Sequence, residues 1–175
     1  LLLIVGGIET TRTSTSHGMR LLMEHPEQYQ VLVDNPDLVP DAVEEILRFN
    51  PAFIHMRRTA MEDVELGGMQ IKKGDKVVLM YDSANHDESV FGDDSEVFDV
   101  TRAQRQPDLR SDHRTFGIGQ HFCLGSHLAR KEMYIVFEEI VKRIRNPQFV
   151  GKPHFAQSNF ISGIHTMNIS FDMAS

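Results

Sequence analysis

The chemistry in this sequence is concentrated around its single cysteine, Cys123, in the segment FGIGQHFCLGSHLAR at residues 116–130. Glycines flank the thiol on both sides, and glycine permits tight turns and close approach of the backbone to a ligand. Beyond the last of these glycines the apolar residues recur at helical spacing, so Cys123 is predicted to lie at a loop-to-helix junction. The amides at a helix N-terminus stabilise a thiolate, the form of cysteine that binds metals.

The helix after the cysteine is predicted from apolar residues three or four positions apart. We expect them to form one buried face, made of Ala129, Met133, Val136, Ile140 and Ile144. The alternative is a buried cysteine that packs as a small hydrophobe.

A second group of candidate residues lies in the first predicted helix, at residues 1–24. Gly6 and Gly7 cost the helix about 1 kcal/mol each relative to alanine, which indicates that another group passes close to the backbone. The hydroxyl of Thr10 can bond back to a carbonyl and loosen the helix. A bent helix in which Thr10 only satisfies its own backbone is the alternative explanation.

The pattern Phe116-x-x-Gly119-x-His121-x-Cys123-x-Gly125 resembles the haem-binding loop of the cytochrome P450 family, the haem-thiolate monooxygenases. The resemblance implies that Cys123 is the axial iron ligand of haem b and donates electron density towards O–O cleavage. It assigns the rest of the loop to cofactor binding, namely Phe116, Gly117, Gly119, His121 and Gly125.

The same resemblance gives roles to residues outside the loop. Gly6 would face the cofactor on the oxygen side of the haem, where Thr10 and its neighbour Glu9 would deliver protons to dioxygen. Arg58, in RTAMED, matches the arginine that binds a haem propionate, and His121 would hold the other one. Strand alternation predicts that the neighbouring Arg57 faces solvent.

Glu45 and Arg48 are three residues apart and are therefore neighbours on one face of a helix. On their own they indicate an exposed ion pair of small energetic value. The resemblance implies instead a structural network in which Arg102 joins this pair and fixes the scaffold that leads to the cysteine. It also implies that three apolar residues line the substrate pocket, namely Phe53, Ile54 and Ile161.

The hydrophobic periodicity predicts a fold that is mainly α with a small antiparallel β part. Helices are expected at 1–24, 26–33, 37–49 and after the cysteine, and a short helix with a loop at 82–94. Strands are expected at 55–60, 64–66, 69–71, 76–81, 155–160 and 167–171, and irregular backbone at 103–115. The resemblance implies that residues 1–175 are a partial single domain, the C-terminal part of a longer chain.

Composition limits the possible functions. A formal net charge of −7 argues against a nucleic-acid partner, and one cysteine excludes an internal disulfide. No apolar run is long enough to span a membrane, and the first residues lack the features of a signal peptide. The resemblance to soluble bacterial members of the family implies a cytoplasmic protein.

Basic residues before and after the cysteine loop predict a positive docking surface on an otherwise acidic protein. They are Arg105, Arg110, His113, Arg114, Arg130 and Lys131. The resemblance then implies an acidic ferredoxin, with its ferredoxin reductase, as the electron source. It also implies dioxygen and a hydrophobic small molecule of alkane, terpenoid or steroid type as substrates.

Three other functions remain as alternatives. A zinc site could use His121, Cys123 and His127, although structural zinc normally requires a second cysteine pair. A cysteine hydrolase could use Cys123 as its nucleophile, but it leaves Glu45 and Arg58 without a role. A haem-binding sensor or carrier explains the loop but does not need Thr10. The sequence favours a haem-thiolate monooxygenase over all three.

Overall fold

Four longer helices supply the core of the computed structural model, which describes residues 2–174. These are α1 (Leu2–Glu24), α2 (Pro26–Asp34), α3 (Val39–Phe49) and α8 (Ser126–Arg143), and a 3₁₀ turn at Pro36–Leu38 leads into α3. Between α3 and α8 lie four single-turn helices, α4 (Tyr81–Asn85), α5 (Glu88–Phe91), α6 (Arg102–Arg105) and α7 (Leu109–Asp112). The predicted long first helix is confirmed from its second residue, and Leu1 lies outside the described residues.

The core forms where the apolar faces of the four long helices meet. The predicted apolar side of α3 is confirmed, because Val39, Val43, Ile46 and Leu47 are all buried. Helices α1 and α8 approach each other closely at Gly18, where an added Cβ would lie 2.5 Å from the ring of Phe137. Burying these apolar side chains supplies the main stabilisation of the fold.

The predicted buried face of α8 is partly wrong. Its buried residues are Ser126, Arg130, Met133, Phe137 and Val141. The buried face includes Arg130. A hydrophobicity pattern counts an arginine as exposed, so it predicted neighbouring positions as the buried ones. Val136 is exposed, and Ile144 belongs to the following strand.

The strands form separate two-stranded antiparallel ribbons. They are β1 (His55–Thr59), β2 (Val64–Leu66), β3 (Met69–Ile71), β4 (Lys76–Met80), β5 (Ile144–Phe149), β6 (His154–Phe155), β7 (Ile164–Thr166) and β8 (Ile169–Met173). The pairs are β1 with β4, β2 with β3, β5 with β8 and β6 with β7. The four central strands match the prediction closely, but they make two ribbons instead of one sheet.

Other predicted elements also differ from the structure, including the strand expected at 167–171, where the observed strand is Ile169–Met173. Residues 103–115 are not irregular throughout, because α6 and α7 lie at their start and middle, and four-residue helices are too short to show a period. The predicted strand at 155–160 ends at Phe155. The Ser158 hydroxyl accepts the backbone N–H groups of Phe160 and Ile161 at 3.1 Å, which turns the chain there.

Candidate functional site

The cysteine loop closes on itself and then leads into α8. The Cys123 N–H donates to the Phe116 carbonyl at 2.9 Å, and the Phe122 N–H donates to Gly119 at 3.0 Å. Cys123 lies just ahead of Ser126, where α8 begins, as predicted, and its side chain is exposed. The alternative of a buried structural cysteine is therefore wrong for this chain.

Two glycines are required by the conformation of the loop. Gly117 and Gly119 have φ of 71° and 70°, in the left-handed region that side chains disfavour. A Cβ at Gly117 would also lie 3.1 Å from the Tyr81 hydroxyl. Substituting either glycine would shift the turn that carries His121 and Cys123.

A cavity of about 260 Å³ lies beside the loop. Predicted residues from three separate parts of the chain line it, namely Gly6, Thr10, Phe53, Arg58, Phe116, His121 and Cys123. Much of the remaining lining is apolar and comprises Leu47, Ala52, Met56, Ala129 and Met133, with Thr11, Ser14, Tyr81 and Thr115 adding polar groups. The fold therefore brings together a thiol, an arginine, a histidine and an apolar wall.

These residues fit a flat, mainly apolar group that carries two carboxylates. Gly6 lines the cavity without a side chain, and a Cβ there would meet no atom within 4 Å, so a ligand can approach the backbone of α1. Arg58 and His121 are candidate partners for the carboxylates, and the Cys123 sulfur is a soft ligand for iron.

Thr10 bonds back to its own helix, as predicted. Its Oγ1 donates to the Gly6 carbonyl at 2.6 Å, and α1 continues without a break through this point. The hydroxyl proton is thus committed to the backbone. The oxygen keeps lone pairs that can accept a hydrogen bond from a donor in the cavity.

Glu9 is separated from this cavity. Its carboxylate pairs with Arg12 at 2.6 Å, and Arg12 also donates to the Ile164 carbonyl at 3.3 Å. Glu9 is not among the residues that line the cavity. The structure therefore places Thr10, but not Glu9, in the lining of the cavity that Cys123 also lines.

Strand alternation in β1 was predicted correctly. Arg57 is exposed, whereas Arg58 lines the cavity and donates through Nη1 to the Arg57 carbonyl at 3.1 Å. His121 ends the 3₁₀ turn at Gly119–His121. The rest of the Arg58 guanidinium can serve an anion in the cavity.

The three predicted substrate-pocket residues differ in position. Phe53 lines the cavity, whereas Ile54 and Ile161 are not among its lining residues. Ile161 forms an isolated antiparallel bridge with Phe53, and the Ile54 carbonyl accepts the Tyr81 N–H at 3.0 Å. Ile54 and Ile161 thus support the wall that Phe53 presents.

Glu45, Arg48 and Arg102 form one fully buried network. The Glu45 carboxylate accepts Arg48 Nε at 2.7 Å and Arg102 Nε at 3.2 Å, and it also accepts the Asp99 N–H at 3.1 Å. The alternative of an exposed surface pair is wrong, because all three charged side chains are inaccessible to solvent. Both arginines extend to backbone carbonyls between residues 85 and 97.

A second buried carboxylate, Glu44, was missed. It accepts Arg130 Nε at 2.8 Å, the Tyr134 hydroxyl at 2.7 Å and His113 Nε2 at 3.1 Å. Burial alone would raise the pKa of Glu44, but the bonds from His113, Arg130 and Tyr134 lower it to about 2. No sequence motif marks Glu44, because its partners lie far away along the chain.

His113 is a neutral donor in this second network. Burial lowers the pKa of His113, against the opposing effect of Glu44. The neutral ring therefore carries its proton on Nε2, which faces the carboxylate, and the buried Nδ1 has no hydrogen-bond partner. The network reaches the cavity through Arg130. Its guanidinium lies 4.5 Å from the centre of the ring of Phe116, which lines the cavity.

The predicted basic docking surface is smaller than expected. Arg130 and His113 are buried around Glu44, and Arg105 pairs with Asp94 and Asp99. Arg110 and Lys131 are exposed and Arg114 is half-buried. Counting basic residues overestimated the positive surface because charge pairing is invisible in the sequence.

Comparison with known proteins identifies the family. The family model of cytochrome P450 matches residues 1–155. The chain belongs to the cytochrome P450 family. Haem b is the cofactor of this family, in agreement with the prediction.

Relatives and solved structures agree over nearly the whole chain. The chain is 45% identical to linalool 8-monooxygenase of Pseudomonas putida over 168 residues, and 39% identical to steroid C26-monooxygenase of Mycolicibacterium smegmatis over 173 residues. These alignments cover 96% and 98% of this chain. The structure of cytochrome P450-153 from Novosphingobium aromaticivorans matches with a TM-score of 0.90 and 39% identity, covering 98% of this chain and 42% of that one.

The chain spans about two fifths of these P450 relatives, 40% and 41% of their length. Within residues 2–174, no helix combines the length and apolar character needed to cross a membrane. The same residues contain no group of three or more His, Cys, Asp or Glu side chains arranged to hold a metal ion, so the zinc alternative lacks a ligand set there.

Proposed function

We propose that this P450 chain forms the haem-binding part of a monooxygenase that inserts one oxygen atom of dioxygen into a C–H bond of a hydrophobic small molecule. The observation that carries the proposal is the shared cavity, which Cys123 and Thr10 line together with Arg58. A protein that only carries haem needs the thiol and the arginine. It has no use for a hydroxyl on α1.

When bound, haem supplies the reductive activation of dioxygen, and the second oxygen atom leaves as water. The residues of the chain would hold this group from two sides. Cys123 provides the thiolate, and the dipole of α8 together with the closed backbone of the loop favours its negative charge. Arg58 and His121 would hold the two propionates, and Gly6 would leave room for the group beside the backbone of α1.

Thr10 is the residue we assign to proton delivery. Its own proton is held by the Gly6 carbonyl, so its oxygen can accept a hydrogen bond and order a water molecule in the cavity. Glu9 would exchange protons with solvent from outside the cavity, and the ion pair with Arg12 must open for it to do so. Thr10 therefore acts inside the cavity, and Glu9 acts outside it.

Replacing Thr10 by alanine tests the proposal. The Thr10→Ala protein should still bind haem and substrate and consume reducing equivalents, but it should convert several-fold more of them to hydrogen peroxide. Thr10→Ser keeps the hydroxyl and should retain most of the coupling. The measurement is product formed per reducing equivalent, with peroxide assayed in parallel.

Unchanged coupling in Thr10→Ala would remove the proton-delivery role and leave Thr10 with a purely structural bond. In that case the haem-binding sensor or carrier becomes the better explanation of the cavity. Loss of haem from Thr10→Ala, in contrast, would show that the hydroxyl is needed for binding.

The apolar wall of the cavity supports a hydrophobic substrate, because Phe53, Met56 and Met133 offer no charge to a polar one. The names of two relatives, linalool 8-monooxygenase and steroid C26-monooxygenase, support a terpenoid or steroid type. The alkane class, the ferredoxin with its reductase and the cytoplasmic location stay predictions.

A further inference from the structure

A buried histidine on α1 has no part in the haem site described above. His17 lies two helical turns beyond Thr10 and is 2% exposed. Its Nε2 is 2.6 Å from the Ser162 carbonyl, and its Nδ1 accepts Arg20 Nε at 3.1 Å. These two contacts define a single neutral tautomer with the proton on Nε2.

Burial, with the nearby charge of Arg20, lowers the pKa of His17 to about 4, while the bond to Ser162 opposes the shift. The ring therefore stays neutral around neutral pH. Protonation of Nδ1 would remove the acceptor that Arg20 Nε uses and would place a second positive charge beside it. The two hydrogen bonds of His17 therefore keep the same donors and acceptors around neutral pH.

The bonds of His17 continue into a closed ring of four residues. Arg20 Nη2 donates to Asn50 Oδ1 at 3.2 Å, and Asn50 Nδ2 donates to Ser162 Oγ at 3.2 Å. The ring connects α1, the start of the connection at 50–54 and the C-terminal hairpin tip at 158–163. These three segments are remote in sequence.

The hairpin tip is attached to the wall of the cavity. Ser162 N–H donates to the Ala52 carbonyl at 2.9 Å, and Ile54 N–H donates to Phe160 at 3.0 Å. The rings of Phe53 and Phe160 are 4.8 Å apart. Ala52 and Phe53 themselves line the cavity, so a shift of the tip would move the wall.

Apolar packing alone does not hold this tip. Phe160 is 40% exposed and the neighbouring Phe155 is 54% exposed. A segment with so little buried apolar surface depends on its hydrogen bonds for a defined position. The bond from the buried His17 to Ser162 is the shortest of these contacts.

We propose that His17 is a positioning residue for substrate, which holds the hairpin tip and thereby sets where Phe53, packed against Phe160 of the tip, stands in the apolar wall. The proposal rests on the proposed monooxygenase function and deepens it. The wall would select among hydrophobic molecules by their size beyond the reacting carbon. The affinity for small molecules that stay near the iron would not depend on the position of this wall.

Two azole probes test this on the haem-loaded protein expressed from its complete reading frame. Imidazole and 4-phenylimidazole both bind haem iron through a ring nitrogen, and the second also carries a phenyl group into the cavity. The test variant is His17→Leu, and His17→Gln is the matched control because its amide N–H can reach the Ser162 carbonyl. Dissociation constants are measured from the shift of the Soret band.

We expect His17→Leu to weaken 4-phenylimidazole about tenfold, which corresponds to the loss of one buried hydrogen bond. Imidazole should change less than about twofold, and His17→Gln should recover most of the affinity for 4-phenylimidazole. If His17→Leu does not fold, Asn50→Ala opens the same ring of bonds and should weaken 4-phenylimidazole selectively.

Equal weakening of both probes, or no change in either, would overturn the positioning role of His17. Failure of His17→Gln to recover affinity would also count against it. The proposed function fails separately, if the unmodified protein lacks the red-shifted Soret band of thiolate-ligated haem under carbon monoxide.

Discussion

Glu44 and Glu45 are adjacent on α3 and both are buried, yet they organise different regions of the molecule. Glu45 binds two arginines, Arg48 and Arg102. Glu44 binds one arginine, Arg130, and two neutral donors from histidine and tyrosine side chains. Because successive side chains on a helix point about 100° apart, one turn of α3 serves two separate networks.

The two networks fix opposite ends of the path to the cysteine. The arginines on Glu45 hold carbonyls between residues 85 and 97, well before the loop. Glu44 holds α8, which follows the loop, and His113, which precedes it. The comparison indicates that Glu45 maintains the scaffold, whereas Glu44 maintains the position of the cysteine loop itself.

The largest effect is expected at Glu45. Glu45→Ala leaves the buried Arg48 guanidinium without a carboxylate and Arg102 with only the longer contact to Asp94 at 3.3 Å, and breaking such a network costs about 3–5 kcal/mol. We expect low folded yield and little haem incorporation. Urea unfolding gives the free energy, and hydrogen exchange should show lost protection first at residues 85–99.

Glu139→Ala is the matched control for a carboxylate on the surface. Glu139 pairs with Arg143 at 2.7 Å, and its side chain is 44% exposed, so its removal should cost less than about 1 kcal/mol. A Glu45→Ala protein that folds and binds haem like this control would make the Glu45 network dispensable.

A smaller effect is expected for Glu44→Gln, because the amide can still accept one hydrogen bond and only one buried cation loses its partner. The loss should be about 1.5–3 kcal/mol, the range for a hydrogen bond to a charged group. Hydrogen exchange should show weaker protection at residues 113–134 and not at 85–99. The same exchange pattern as in Glu45→Ala would remove the distinction between the two networks.

The pH dependence sharpens this prediction. Since the folded state lowers the pKa of Glu44 from 4.5 to about 2, its stabilising contribution is complete above pH 4.5 and is lost as the pH falls towards 2. The difference in urea midpoint between the unmodified protein and Glu44→Gln should shrink over this window. A difference that stays constant down to pH 2 would contradict the assignment of a buried carboxylate.

Tyr134→Phe should have the smallest effect. Burial and the neighbouring Glu44 raise the pKa of Tyr134, so its hydroxyl remains a neutral donor. Its removal leaves Glu44 with the bonds from Arg130 and His113 and should cost about 1 kcal/mol in urea unfolding. A loss as large as that of Glu44→Gln would mean that the tyrosine, not the arginine, dominates this network.

The same comparison shows what the sequence can and cannot predict. Glu45 and Arg48 are separated by three residues, so helical spacing alone makes them neighbours. The partners of Glu44 are 69, 86 and 90 residues away, and no local pattern connects them. The cysteine loop was predictable because its residues are contiguous.

Other differences have the same origin. The buried face of α8 was predicted at the wrong positions because it contains Arg130. A hydrophobicity pattern does not include Glu44, the carboxylate that pairs with this arginine. The exposure of Arg57 was predicted correctly through strand alternation, a local rule. The separation of Glu9 from the cavity, in contrast, follows from helix geometry, because adjacent side chains on a helix point about 100° apart.

The central claim is that Cys123 ligates haem iron, and the reduced protein under carbon monoxide tests it most directly. The haem-loaded protein should show the strongly red-shifted Soret band of thiolate ligation. Cys123→Ser should lose that band, because a neutral hydroxyl cannot replace the electron-donating sulfur. A Cys123→Ser protein that keeps the band would contradict the account.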